Sequence, residues 1–493
     1  MDAAKDRRPV LTPAGVTPAR AAMREPEEAE RALSRIQSLL DAFEDNHPSA
    51  EKVTENLNDD EKSEIRSVLK PLHPADVAYI LQALPTDDRM IVWDLAESNH
   101  DGEVLVEVNN DGVRETLIDA MDREELVDAM ESLDTDEIAD LVEDLPPDVV
   151  EEVQEGLSTK ERAQLRAAMS YPEDSVGARM DFDLVLIRED DTVEGVLRYL
   201  KTFEELPDHF DLVFVVDRQQ KLKGVVQVTR LLLSDPERSV QEVMNTDVLS
   251  LNPTDSASDA AQAFERYDLV SAPVVDEGNR LLGRLTVNEV VDVIREESDE
   301  DAYSAVGLDD DEDPFGSVWN SAKSRWVWLG VNMCTAFFAS SVINVFEGTI
   351  SKVVALATLM PIVSGIAGNT GNQTLTLLVR SLATGQVTDA TEWDLFKKEF
   401  AIALLNGVIW GAISGFAAFL IYHNSPVGRQ LGLVMFLAMM LNIVVGALVG
   451  VIVPVVLKKL GRDPAMGSSV LLTFITDSCG FLIFLGLASV IFK

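Results

Sequence analysis

The chain has 493 residues and carries 84 Asp and Glu against 41 Lys and Arg, a net charge of −43. A surface this acidic repels nucleic acid and anionic lipid headgroups, which are gripped by Lys and Arg, and it suits cations; a merely solvating or halophilic surface is the competing explanation. The only two cysteines, Cys334 and Cys479, fall in hydrophobic stretches, so neither a disulfide framework nor a zinc-ligand spacing is available.

The first twenty residues, MDAAKDRRPVLTPAGVTPAR, lack the apolar core of a signal peptide, which predicts a cytoplasmic N-terminus. Residues 1–30 read as a disordered tail. Across residues 31–171 an apolar residue followed by a capping or turn segment recurs every twelve residues: Met121-Asp-Arg, Leu133-Asp-Thr, Leu145-Pro-Pro, Leu157-Ser-Thr and Met169-Ser-Tyr. Leu72-His-Pro and Leu84-Pro-Thr keep the same spacing. Asp, Ser and Pro at these points cap or start short helices, and Leu and Val follow at helical intervals. The prediction is an all-α superhelical N-domain of stacked short helices, of either hand.

Residues 172–295 contain a duplication. SVGARM–DFDLV (from Ser175) echoes SVQEVM–NTDVL (from Ser239). FVVDRQQKLKGVVQVTRLL (from Phe214) echoes PVVDEGNRLLGRLTVNEVV (from Pro273), with Asp217 matching Asp276 and Gly224 matching Gly283. Each copy reads as strand, turn, strand, helix. Two such α/β units side by side resemble a pair of cystathionine-β-synthase (CBS) domains, a regulatory module that commonly binds adenosine nucleotides. Where ribose-gripping sites of that module usually carry Asp, this chain has Arg230 and Glu289, so an adenine nucleotide is an open expectation.

Residues 296–322 join this module to the apolar half. Glu296 to Asp301 continue the helical phase of Glu289 and Asp292, which predicts an acidic connecting helix able to act as a divalent-cation switch. A second cluster, Asp309 to Asp313, reads as a solvated linker, and Asp311→Asn is expected to change little.

From Lys323 onward the balance reverses: 11 Lys and Arg against 7 Asp and Glu, a net of +4, which leaves 30 against 77 and −47 for residues 1–322. Five stretches, near 326–346, 353–383, 399–422, 431–457 and 467–492, are long enough to cross about 30 Å of hydrocarbon. Lys323, Arg325, Lys397, Lys398, Lys458, Lys459 and Arg462 flank one side of these spans, and only Lys352 and Arg429 the other, with Lys493 at the end. The positive-inside rule then puts the N-terminus inside and the C-terminus outside. Gly407, Gly411 and Gly415, and Gly446 and Gly450, recur at helical spacing and read as seams between closely packed spans.

The second span is polar in its middle. Asn369, Asn372 or Gln373, Thr376 and Arg380 form one stripe on a helix, with Gly365, Gly368 and Gly371 beside it. Polar groups at this depth must face protein or a water-filled cavity. In the last span lies Asp477, read here as the one acidic residue inside an apolar stretch. A charge at the bilayer centre costs roughly 2.5–3.5 kcal/mol on insertion scales, so such a residue is a functional-site candidate by default. The alternative is a protonated Asp bonded to a neighbouring helix.

Together, PIVSGIAGNTGNQTLTLLVRSLATG, GRDPA (Gly461 to Ala465), ITDSCGFLIFLGLA (Ile475 to Ala488), the CBS pair with its acidic helix and the helical N-domain resemble the MgtE family of bacterial magnesium channels over nearly the whole chain. The resemblance implies a multidomain protein with a transmembrane bundle of five helices, multi-pass in the bacterial inner membrane. It further implies a homodimer whose pore is lined by the second and fifth spans. Asp477 of each subunit would hold a hydrated Mg²⁺, with the Thr473 carbonyl nearby and amides of Asn369, Asn372 and Gln373 available to its waters. The implied cytosolic sensor positions are Asp268, Glu289, Asp292, Glu297, Glu300, Asp301 and Asp463; some family acids fall here on Ser256 and Ser258.

Mg²⁺ gives up water reluctantly, and two carboxylates across a symmetry axis suit that preference. Two charges moved through about 100 mV are worth roughly 4.6 kcal/mol. A passive channel therefore needs feedback from inside, expected to come from Mg²⁺ quenching repulsion among the cytosolic acids. An aspartyl protease needs two carboxylates sharing a proton, and an ATP-driven pump needs a phosphate loop that the sequence lacks. The alternatives left open are an H⁺- or Na⁺-coupled divalent-cation carrier under CBS control and a sensor without transport.

Overall fold

The computed structural model describes residues 27–46, 58–96, 100–203, 206–207, 209–308, 312–387 and 390–492. The described residues fall into two compact units that divide after Asn109. The first holds α1 (Glu28–Asn46), α2 (Asp59–Leu69), α3 (Pro74–Gln82), α4 (Thr86–Leu95) and α5 (Asp101–Val106). Helix α1 starts at Glu28, so the end of the expected disordered tail is helical; residues 1–26 lie outside the described residues. Within this unit Arg89 is fully buried and donates to the carbonyl oxygens of Leu81 (2.9 Å) and Leu84 (3.1 Å), which satisfies acceptors orphaned at the end of α3.

The second unit opens with α6 (Asp111–Ala120), α7 (Arg123–Glu131), α8 (Thr135–Leu141), α9 (Pro147–Gly156) and α10 (Thr159–Ala168). Their first residues are spaced by twelve, as are those of α3 and α4. The caps fall where the repeat put them: Asp122, Asp134 and Ser158 each close a capping box with a Glu three residues on. Pro147 stands in the first turn of α9, where its missing N–H costs nothing. The last repeat, at Ser170, starts no helix.

Next come β1 (Leu186–Ile187), α11 (Val193–Leu200), β2 (Leu212–Val216), β3 (Leu222–Gln227), α12 (Val228–Leu233) and α13 (Val240–Val243), then α14 (Ala257–Tyr267), β4 (Ser271–Val275), β5 (Leu281–Thr286) and α15 (Val287–Ser304). β1 runs parallel to β2, while β2–β3 and β4–β5 are antiparallel hairpins. The duplication holds at atomic detail. Gln220 and Asn279 both turn at φ 61. Asp217 Oδ1 accepts the N–H groups of Gln219 (2.8 Å) and Lys221 (3.0 Å), and Asp276 Oδ1 those of Gly278 and Arg280 (2.8 Å each). The matched Gly283 leaves no room for a side chain: a Cβ there would stand 2.8 Å from the Asp181 carbonyl oxygen.

Helix α15 is continuous from the second CBS unit through the first acidic cluster. Asp309 to Asp311 lie outside the described residues. The rest of that cluster is not a free linker: Glu312 pairs with Arg325 at 2.5 Å, and Asp313 is buried and accepts the Phe315 N–H at 2.9 Å.

The apolar half consists of α16 (Val318–Val345), the short α17 (Glu347–Lys352), α18 (Ala355–Ala383), α19 (Glu392–Ile421), α20 (Gly428–Lys459) and α21 (Ser468–Ile491). All five expected stretches are helical. Four of them, α16, α19, α20 and α21, are long and apolar enough to cross a bilayer; α18 has the length, with 29 residues, but its polar stripe lowers its apolar character. Helix α20 is central, packed against α18, α19 and α21. The glycine seams are as expected. Cβ atoms at Gly411 and Gly415 would meet the carbonyl oxygens of Phe436 (2.8 Å) and Gly432 (2.6 Å), and one at Gly450 that of Gly371 (2.6 Å). Helix α16 is different, with Trp326, Val327, Leu329, Met333, Phe337 and Phe338 all exposed.

Candidate functional site

Helices α18 and α21 meet along their length. The Ser364 hydroxyl donates to Asp477 Oδ1. Gly368 lies opposite Thr476, and Gly371 opposite Leu472. As the numbers rise on α18 they fall on α21, so the two helices are antiparallel, as a second and a fifth span would be. Asn369 and Asn372, each next to one of these glycines, therefore stand level with the Leu472–Thr476 turn of α21.

Asp477 is half-buried, and its hydrogen bond to Ser364 ties it to a neighbouring helix without sealing it off. Thr473, one turn away on the same stripe of α21, is exposed; its hydroxyl donates to the Ser469 carbonyl oxygen (2.8 Å), and its own carbonyl oxygen accepts the Thr476 hydroxyl at 3.2 Å. On α18, Asn369, Gln373, Thr376 and Arg380 are exposed and Asn372 is half-buried. The opposite side of α18, with Gly371, Thr374, Leu375 and Leu378, is buried. The polar stripe is thus the face of α18 that the rest of the described chain leaves uncovered.

Asp477 is not the only acid in the apolar half's interior. Glu399, read as the mere start of a span, lies seven residues into α19, only 6% exposed, and accepts the Thr374 hydroxyl at 3.1 Å. Thr374 stands ten residues along α18 from Ser364, about 15 Å of helix rise. The two carboxylates are bound at separate levels and do not form a proton-sharing dyad.

In the acidic half that precedes α16 the carboxylates crowd one another. Glu289 on α15 is pushed up to about 8, by burial first and then by Asp136, Asp140 and Asp292, with Arg179 opposing. Asp136 on α8 is raised to about 7 by burial and by Asp181. Asp136 and Asp140 sit in the capped repeats, where no spacing distinguishes them from solvated helix acids, so sequence reasoning missed them. Further along α15, Asp301 is raised by burial and by Asp463 and Glu297, against Arg380. Asp463 Oδ1 accepts the Ala465 N–H (2.8 Å), while its buried Oδ2 has no partner among the described residues. Glu300 faces solvent, and Asp268 is exposed at the left-handed C-cap of α14. Among the described residues no three acidic, His or Cys side chains converge to hold a metal ion. The crowded carboxylates and the orphaned Asp463 oxygen nevertheless fit a cation arriving between elements.

Two contacts join the end of α15 to the start of α21, the helix that bears Asp477. The Gly467 N–H donates to the Ser304 carbonyl oxygen at 3.0 Å. Trp328 of α16 wedges against Gly307 and Gly467, both at positive φ, where a Cβ would collide with its ring. Gln262 of α14 also donates to the Ala383 carbonyl oxygen, at the end of α18 (3.0 Å).

The family described as "Divalent cation transporter" (MgtE) matches residues 360–487, the MgtE intracellular N domain matches 72–174, and the CBS domain matches 240–296. The magnesium transporter MgtE of Bacillus subtilis (strain 168) is 31% identical, over 88% of this chain and 95% of its own length. The chain belongs to the MgtE family. The MgtE of Thermus thermophilus is also 31% identical, over 90% of this chain and 98% of its own. Among solved structures, the cytosolic domain of the Mg²⁺ channel MgtE in complex with ATP is 28% identical, with a TM-score of 0.44, covering 52% of this chain and 99% of that one. The family match covers the residues of the α18–α21 contact, from Ser364 to Asp477.

Proposed function

We propose that this chain is a Mg²⁺ channel that admits the ion to the cytoplasm down its electrochemical gradient. The observation that carries the reading is the uncovered polar stripe of α18, Asn369, Gln373 and Thr376, alongside the helix that bears the exposed Thr473 and the half-buried Asp477. Polar groups at membrane depth require protein or water opposite them. A second copy of the chain, related by a two-fold axis, would close that face into a water-filled path and bring two Asp477 carboxylates together. The exposed apolar surface of α16 suits lipid and the same partner. Two carboxylates and a ring of amides match an ion that keeps its hydration shell. In this reading α18 crosses the membrane as the second of five spans, tolerated because its polar side faces the path, and the protein sits in the bacterial inner membrane with its N-terminus inside and C-terminus outside.

Closure is assigned to the cytosolic acids. Asp136, Asp140, Glu289 and Asp292 would hold one regulatory Mg²⁺ and Glu297, Asp301 and Asp463 another, with Glu300 and Asp268 as the remaining sensor positions. Bound Mg²⁺ supplies positive charge that lets these carboxylates approach. Arg179, paired to Glu296 at 2.5 Å, already draws α15 toward the residues that follow α10. Closure by Mg²⁺ in this reading needs no nucleotide, and an adenine nucleotide on the CBS pair stays an open expectation, with Arg230 and Glu289 where ribose-gripping sites of the module usually carry Asp.

The test is Mg²⁺ flux into liposomes at clamped voltage. Flux should follow voltage and the Mg²⁺ gradient, and Asp477→Asn and Asp477→Ala should impair flux or selectivity. Flux that needs a proton or sodium gradient would point to a coupled carrier, and equal flux in wild type and both variants would remove Asp477 from the path.

A further inference from the structure

Asn442 is fully buried in the middle of α20. Its Nδ2 donates to two carbonyl oxygens on different helices, Val363 of α18 at 3.1 Å and Thr476 of α21 at 3.4 Å. Each acceptor immediately precedes a member of the Ser364–Asp477 hydrogen bond. The amide orientation is fixed by chemistry, since both partners are acceptors and only the NH₂ end can serve them. The remaining Oδ1 is buried without a partner among the described residues, a cost an apolar residue of the same shape would avoid. Gly480 provides the space, because a Cβ there would overlap the Asn442 amide.

We propose that Asn442 is a positioning residue that sets the ion specificity of Asp477. This inference rests on Asp477 being the ion site. One side-chain amide fixes the backbone of α18 beside Ser364 and of α21 beside Asp477. The Ser364 hydroxyl is thereby held against Oδ1, which leaves one carboxylate oxygen of each Asp477 facing the path. That matters for discrimination among divalent ions. Ca²⁺ takes carboxylates in mono- or bidentate fashion and tolerates irregular shells, whereas Mg²⁺ keeps its waters in near-octahedral order. A carboxylate with one oxygen already engaged is a poor chelator for Ca²⁺ and an adequate acceptor for a Mg²⁺-bound water. Once the clamp is lost, Asp477 is free to present both oxygens.

The experiment measures Mg²⁺ and Ca²⁺ flux in liposomes for wild type, Asn442→Leu, Ser364→Ala, Ser364→Thr and Asp477→Asn. Asn442→Leu keeps the volume and removes both donors; the Mg²⁺/Ca²⁺ flux ratio should fall at least tenfold. Ser364→Ala should lower the ratio similarly, Ser364→Thr should restore it, and the double variant Asn442→Leu/Ser364→Ala should be no worse than the poorer single one. A merely structural role would lower the melting temperature and leave the ratio unchanged. If Asn442→Leu does not fold, the Ser364→Ala and Ser364→Thr pair decides: equal ratios in the two overturn the proposal. Should Asp477→Asn alone change selectivity, the ion site stands and the clamp fails. Should Asp477→Asn match wild type, the ion site itself fails.

Discussion

Glu289 and Asp136 are carboxyls that burial, reinforced by neighbouring acids, makes hold their protons near neutrality, at about 8 and about 7. Each is raised above its unfolded value, so between the unfolded and folded values the native protein binds more protons than the unfolded chain. Stability from this source is complete at acidic pH and is lost as pH rises through 7 to 8. In chelator, the melting temperature of the purified protein should therefore fall between about pH 6 and 8.5. Millimolar Mg²⁺ should restore it, most at the alkaline end, and Glu289→Gln should flatten the profile. A melting temperature independent of pH in chelator would contradict this placement. Asp477 and the Asn369–Arg380 stripe were legible in the sequence because polar residues inside an apolar run announce themselves by contrast. Ser364, Asn442 and the Thr374–Glu399 pair were not, since a lone Ser, Asn or span-end Glu gains its meaning from what faces it on another helix.

At the scale of elements, one substitution has opposite consequences according to what lies opposite the missing Cβ. Gly330 on α16 has nothing within 4 Å, whereas a Cβ at Gly411 would meet the Phe436 backbone oxygen at 2.8 Å. Gly330→Ala should leave the melting temperature unchanged or raise it slightly, as Ala is the better helix former. Gly411→Ala should lower the melting temperature by several degrees, because backbone against backbone cannot yield as a flexible side chain can; equal melting temperatures would mean that α19 and α20 do not meet there. The elements themselves were largely readable. The twelve-residue repeat gave helix starts through its caps, and the matched Asp217 and Asp276 gave paired hairpins. What the repeat could not give is which acids of α8 face α15, because that depends on how the helical repeats meet the CBS pair rather than on either alone. The described end of the second acidic cluster departs from the expected solvated linker for a related reason: Glu312 and Asp313 find partners in Arg325 and the Phe315 N–H, which charge density alone does not reveal.

For the whole molecule, the governing quantity is the split between −47 on residues 1–322 and +4 on residues 323–493. Self-repulsion on that scale is relieved by divalent counter-ions. Limited proteolysis should accordingly slow on adding millimolar Mg²⁺, most within residues 287–312, and identical digestion patterns would rule out closure by compaction. The proposed two-fold path makes a geometric prediction as well. In a background free of Cys334 and Cys479, a cysteine introduced at Asn369 or Gln373 should cross-link two copies under mild oxidation, while one introduced at the buried Leu375 should not. Cross-linking at Leu375 alone would place the partner on the wrong side of α18.

Trp328 stands wedged between Gly307 and Gly467, and the Ser304 carbonyl is bonded to Gly467 one residue before α21 begins. The end of the acidic helix and the start of the helix bearing Asp477 are therefore one mechanical piece. A tug on the acidic helix is delivered about three turns from the carboxylate, along one continuous helix. In the proposed cycle, opening and sieving then share a single moving part, so whatever loosens the proposed gate should also blur the choice of ion.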